Sequence, residues 1–131
     1  LALPPKSLLV REANVADDPT YVRLFNLLNA IRDLAPFSVL TAEEDELLRS
    51  LLVRWHRETD ISISDVTETM SGVSPATAYR RIIKLRDKGL VQLRVDQHDK
   101  RVKFVEPTEA ALQYARHVHS ALEALVPSKS A

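Results

Sequence analysis

The sequence contains no cysteine, which excludes disulfides, thiolate metal ligands and a thiol redox sensor. It has only two glycines, Gly72 and Gly89. Both fall where a turn or a helix end needs them, so no phosphate-cradling loop or dinucleotide fingerprint is available. No apolar run approaches the ~20 residues of a membrane span. There is no HExxH pair and no nucleophile elbow. Ser62, Ser64, Ser71 and Ser74 have no histidine near them in sequence. These absences argue against an enzyme, and neither a cofactor nor a metal is expected.

A length of 131 residues suits one domain, large enough to bury roughly two thirds of its unfolded surface. The opening LALPPKSLLV, with one lysine and two prolines, makes a poor signal peptide, and a first residue other than methionine reads as a processed or trimmed start. A cytoplasmic location is the default expectation. Net charge is zero, yet the charge is unevenly spread. Residues 74–103 hold nine Lys/Arg against three Asp/Glu, whereas residues 20–73 hold five against nine. A basic patch confined to a quarter of the chain is what attracts phosphate.

Residues 1–19, with three prolines, read as an extended arm. The segment TYVRLFNLLNAIRDLAP predicts a helix over about 20–35, stopped by Pro36. Its apolar stripe (Tyr21, Leu24, Phe25, Leu28, Ile31) is widened by Val22, Leu27 and Leu34, enough to face more than one neighbour. Thr41 and Glu44 form a capping box for a helix over 42–58, with acids in its first turn complementing the helix dipole. ISIS at 61–64 suits a short strand. Asp65 can then cap a short helix through Met70. Gly72 supplies a tight turn, Ser74 caps the next helix with Pro75 at its first position, and Gly89 ends it. LVQLRV and RVKFVEP form a hairpin around the polar DQHDK, and Thr108 caps a last helix to about Leu125.

In the helix that starts at Pro75, Ala78, Ile82 and Leu85 share the core-facing stripe. Ala76, Arg80, Lys84 and Asp87 share the opposite face, flanked by Thr77 and Tyr79. A merely solvated face mixes signs at i, i+4 spacing, but residues 74–85 contain no acid. Arg80 can contact guanine with two donors, Lys84 can meet a phosphate, and the Ser74 turn adds backbone amides. Arg94, His98, Lys100, Arg101 and Lys103 lie on or beside the hairpin loop. A helix for the major groove followed by a basic hairpin for the minor groove is how a winged helix–turn–helix binds duplex DNA.

The string from ISISDVTETMSGVSPATAYRR through LRDKGLV, the HDKRV loop and PTEAAL resembles the MarR-type winged-helix transcriptional regulators over about residues 40–112. The resemblance implies that Arg101 enters the minor groove while Asp99 holds it in place. It also implies a dimer and a small ligand between the dimer helices and the DNA-binding lobe. Trp55, His56, Phe25 and Tyr21 are the aromatic candidates for that cavity, although core and boundary packing is the plainer reading of them. Pro107 stands where the family usually has leucine, and Ala111 where it usually has glycine. The chain ends soon after the last helix, where the family commonly continues, and the arm is a candidate substitute for that contact.

Ala111, Ala115, Val118, Leu122 and Leu125 form a helix–helix seam. With Leu24, Phe25 and Leu28 they are the expected dimerisation residues, the alternative being packing within one subunit. His117 and His119, two apart on a helix, face different directions. His98 between Asp96 and Asp99 suits a turn or a phosphate better than a metal.

The expectation is therefore a mostly α fold with a small β-hairpin wing (α+β), a winged helix–turn–helix with N- and C-terminal dimerisation helices. Residues 20–131 form one domain, with a DNA-binding lobe at about 41–106 and dimerisation helices at about 20–35 and 108–125. The expected function is sequence-specific binding of double-stranded DNA by a homodimeric transcriptional regulator, with a small-molecule effector possible. The alternatives are a winged-helix protein assembly module and a replication or partition protein.

Overall fold

The computed structural model describes residues 17–34 and 37–125, so most of the expected arm, Pro36 and the C-terminal tail lie outside the described residues. Helix α1 spans Thr20–Arg32. It ends three residues before the expected boundary, and a single 3-10 turn, Phe37–Val39, follows. Helix α2, Ala42–Arg57, begins with the expected capping box: Glu44 N–H donates to Thr41 Oγ1, and Thr41 N–H donates to the Glu44 carboxylate, both at 3.1 Å.

The expected strand at 61–64 is overturned. Helix α3 occupies Ile63–Thr69, with Ser62 rather than Asp65 as its cap. Ser62 and Asp65 satisfy each other's backbone N–H in a second capping box, which converts the alternating β-branched pattern into a helix start. Only a trace of strand survives. Ile61 C=O accepts the Val105 N–H at 2.8 Å, and Ser62 forms a lone bridge with Phe104.

Helix α4, Pro75–Asp87, is capped by Ser74, whose hydroxyl accepts the Thr77 N–H. It ends in a Schellman motif. Gly89 sits at φ +81°, Gly89 N–H donates to Arg86 C=O, and Leu90 N–H donates to Leu85 C=O. Strands β1, Val91–Val95, and β2, Lys103–Pro107, pair antiparallel with Val91 opposite Pro107 and Val95 opposite Lys103. Helix α5, Glu109–Leu125, follows. Thr108 Oγ1 donates to Gly89 C=O at 2.7 Å and accepts the Ala111 N–H, so one hydroxyl joins the end of α4 to the start of α5.

The core lies between α2, α3, α4 and the hairpin. Leu48, Ile82, Leu85, Leu90 and Ala111 are fully buried, with Leu51, Ile61, Val66, Val91 and Val105 around them. Helix α1 stands outside this lobe and packs on α5. Its wide stripe divides there: Ile31 is buried, whereas Tyr21, Phe25 and Leu28 are 62%, 57% and 47% exposed.

Glu44 is the one buried charged residue among those described. Its carboxylate also accepts a hydrogen bond from Lys88 Nζ, which donates to Val39 C=O at 2.9 Å as well. Burial raises the Glu44 pKa. The Lys88 ammonium and the Thr41 N–H outweigh that effect and hold the carboxyl below its ordinary value. Because the folded-state pKa is depressed, the pair's contribution is complete above the ordinary glutamate value of about 4.3 and is lost as pH falls through the folded value. Lys88→Ala is expected to destabilise the fold by about 1–3 kcal/mol at pH 7, by leaving a buried carboxylate short of a partner. The gap from wild type is expected to narrow below pH ~4. Urea melts of both proteins across pH 3–7 check the size and the sign.

Candidate nucleic-acid interface

The periodicity of α4 sets the first half of the site. Ala78, Ile82 and Leu85 are all 0% exposed, which turns Ala76, Arg80, Lys84 and Asp87 to the surface as expected. Tyr79 is 40% exposed at the flank. The first turn is tied together by side chains: the Ser74 hydroxyl donates to Thr77 Oγ1 at 3.0 Å, and Arg80 Nη2 donates to the same oxygen at 3.2 Å.

The hairpin supplies the second half. Asp96 N–H donates to Val102 C=O and Val102 N–H to Asp99 C=O, both at 2.9 Å, which folds the 96–102 loop back on itself. Asp99 then grips Arg101 at three points. Its Oδ1 accepts from the Arg101 N–H at 3.1 Å and from Nε at 3.0 Å, and its Oδ2 accepts from Nη2 at 3.2 Å. The Arg101 guanidinium beside Asp99 holds its carboxyl below the usual carboxylate range, and Asp99 in turn raises the pKa of Arg101. Even so, the Arg101 side chain is 91% exposed: the acid orients it without hiding it. His98, Lys100 and Lys103 are exposed around it.

Helix and wing are brought together. Tyr79 of α4 and Arg101, Val102 and Lys103 of the wing line one cleft of about 410 Å³, floored by Ser62 and Ser64. Those two serines were not expected at the site. Their only sequence signal is the capping pattern before α3, which speaks of helix starts and not of a shared surface with the wing.

Arg94 stands apart from the other cations. Its Nη2 donates to Asp60 at 2.7 Å and its Nε to Glu106 at 2.5 Å, while the guanidinium lies 4.6 Å from the centre of the Phe104 ring. The two carboxylates raise its pKa. Asp60, at φ +56°, belongs to the loop between α2 and α3, so Arg94 fastens the wing to the helical lobe. Its charge is matched within the protein by two carboxylates.

The four candidates for a ligand cavity do not come together, in keeping with the plainer reading of them as core and boundary residues. Trp55 Nε1 donates to Val105 C=O at 2.9 Å beside the core, and His56 is exposed. Of the four only Phe25 lines a cleft of about 470 Å³, where Leu28, Ile31, Phe37 and Tyr114 join it with Arg32 and the ion-paired Asp45 and Arg49. Phe37 and Tyr114 stack with ring centres 4.2 Å apart, and burial pushes the Tyr114 pKa up. Among the expected dimerisation residues Phe25, Leu28 and Leu122 are exposed, while Leu24, Ala115, Val118 and Leu125 are half-buried, α1 and α5 being packed on each other. Among the described residues, no group of three potential metal ligands comes together, and no helix is long and apolar enough to cross a membrane.

Similar architectures occur in solved proteins. The structure of S. aureus MepR bound to DNA matches with a TM-score of 0.56 at 17% identity, over 80% of this chain and 70% of that one. The heme sensor PefR from Streptococcus agalactiae, in complex with heme, matches with 0.55 at 23% identity over 80% and 69%. A mutant MarR from E. coli complexed with operator DNA matches with 0.52 at 18% identity over 86% and 82%. A comparison with curated proteins finds no match. The family described as winged helix DNA-binding domain matches residues 40–111, from the turn before α2 to the first turn of α5. That family binds DNA and is not a class of catalysts, in agreement with the sequence reading. With more than half of its length inside that match and the fold of the MarR-type regulators around it, this chain belongs to the winged helix DNA-binding domain family.

Proposed function

We propose that the protein is a cytoplasmic, homodimeric transcriptional regulator that reads a duplex DNA sequence with α4 in the major groove and the wing in the adjacent minor groove. The observation that carries this reading is the shared cleft. Tyr79 on the helix and Arg101 and Lys103 on the wing border one concavity, so a single phosphate backbone can pass between them. Arg101 is the minor-groove residue, already oriented by Asp99, and loses less side-chain freedom on binding than an unheld arginine. The uncovered apolar side chains of α1 supply the second copy's docking face, and two-fold symmetry would suit two half-sites.

An effector has a place as well. The cleft between α1, α2 and α5 is walled by Phe25, Leu28, Phe37 and Tyr114, and beside the Asp45–Arg49 ion pair at 3.3 Å it carries Arg32, which suits a flat apolar molecule with one acid group. PefR binds heme. The residues lining this cleft include no histidine or cysteine, so an organic anion is the better match here.

Fluorescence anisotropy with duplex from the protein's own upstream region and with random duplex, across a salt series, tests the main reading. Preference for the first duplex and a steep salt slope are expected. Indifference to both at low salt would turn the search to a protein partner. Lys84→Ala is expected to weaken both duplexes alike and to reduce the slope by about one. Arg94→Ala should leave the slope unchanged and lower the melting temperature instead. Asp99→Ala is the sharper case: it makes the wing more positive, yet it is expected to weaken specific binding because Arg101 is no longer held. In analytical ultracentrifugation at micromolar concentration the wild type is expected to sediment as a dimer. Phe25→Glu combined with Leu28→Glu should sediment as a monomer, and a monomeric wild type would remove the dimer from the proposal.

A further inference from the structure

The hydroxyl of Thr77 is fully used as an acceptor inside the protein. It receives the Ser74 hydroxyl at 3.0 Å and Arg80 Nη2 at 3.2 Å, while Ser74 Oγ receives the Thr77 N–H at 3.1 Å. A hydroxyl has two lone pairs and one hydrogen. With the Ser74 hydroxyl donating to it, both Thr77 lone pairs are occupied and its O–H is left for a partner. Arg80 has donors only and spends one of them on Thr77. The Thr77 hydroxyl and the Arg80 guanidinium therefore both present donors outward.

The way Arg80 is held differs from the other two arginines described above. Arg94 and Arg101 are fixed by carboxylates, whereas residues 74–85 contain no acid, and the group that orients Arg80 is a neutral hydroxyl. A carboxylate would compete with a base for the guanidinium, because charge-assisted bonds are roughly twice as strong as neutral ones. A hydroxyl sets the direction of the side chain, leaves the full positive charge in place and yields to a better acceptor.

In the major groove guanine shows two acceptors, N7 and O6. Adenine shows an acceptor beside a donor, cytosine a donor, and thymine one acceptor beside a methyl group. We propose that Thr77 and Arg80 form one donor-only unit that selects guanine, with Thr77 as the positioning residue that sets the direction of Arg80. This rests on the proposed DNA reading and deepens it by assigning Thr77 the placement of Arg80 on the guanine edge.

The test is selection of duplexes from a randomised pool by wild type, Thr77→Val, Thr77→Ser and Arg80→Ala, followed by sequencing. Wild type is expected to enrich a guanine at one fixed position of each half-site, and Arg80→Ala to lose it. Thr77→Val, which neither donates nor accepts, should relax the same position by about tenfold, and Thr77→Ser should restore it. Thr77→Val should keep the wild-type melting temperature and helix content, which separates positioning from misfolding. Replacing the enriched guanine by 7-deazaguanine, which lacks the N7 acceptor, should weaken wild type by about tenfold and leave Arg80→Ala unaffected. Guanine preference surviving in Thr77→Val, an Arg80-dependent base other than guanine, or indifference to 7-deazaguanine would each overturn the inference while leaving a sequence-reading protein. A wild type that binds duplex but enriches no sequence would overturn sequence reading, and this inference with it.

Discussion

The orientation of α4 depends on one buried carboxylate. Glu44 closes the N-terminus of α2 through Thr41 and, with Val39 C=O, receives the ammonium of Lys88, the residue that ends α4. A buried charge is tolerated only when its lone pairs are met, so Lys88 has little freedom to leave. Where Lys88 goes, the Schellman turn at Gly89 follows, with Leu90 entering the core beside Leu85 and Thr108 bonded to Gly89 C=O. The C-terminal end of α4, the start of the wing and the start of α5 are thus set by one small polar junction.

The basic surface is built on that frame in three different ways. Arg94 is neutralised by Asp60 and Glu106 and serves as a fastening between wing and lobe. Arg101 is oriented by Asp99 but almost wholly exposed, so charge is partly traded for direction. Arg80 keeps its charge whole and takes its direction from a hydroxyl. Side chains that look equivalent in a count of positive residues thus have separate tasks, distinguished by what accepts their hydrogen bonds.

Much of this was legible in the residues. The Thr41–Glu44 capping box, the Ser74–Pro75 start, the Gly89 stop and the apolar spacing of Ala78, Ile82 and Leu85 are local signals, each decided within a few residues of chain. ISIS was misread because its alternation and its Ser62–Asp65 capping box are both local, and the box satisfies two backbone donors that a lone edge strand would leave open. The fastening of Arg94 was out of reach, because its partners lie 34 and 12 positions away and nothing in a basic hairpin distinguishes a paired arginine from a free one. Trp55 was ambiguous for a similar reason, since its partner, Val105 C=O, is 50 positions distant.

Apart from residues 61–64, the sequence by itself determined the elements, their order, the buried and exposed faces of α4 and the concentration of positive charge after Ser74, since capping, periodicity and composition act over one or two helical turns. Only the tertiary structure decided which cations are matched by acids, that Ser62 and Ser64 share a cleft with the wing, and which side of α1 is left uncovered. Those outcomes depend on contacts between residues far apart in the chain, whose energies exist only after the core has brought them within hydrogen-bond or van der Waals distance.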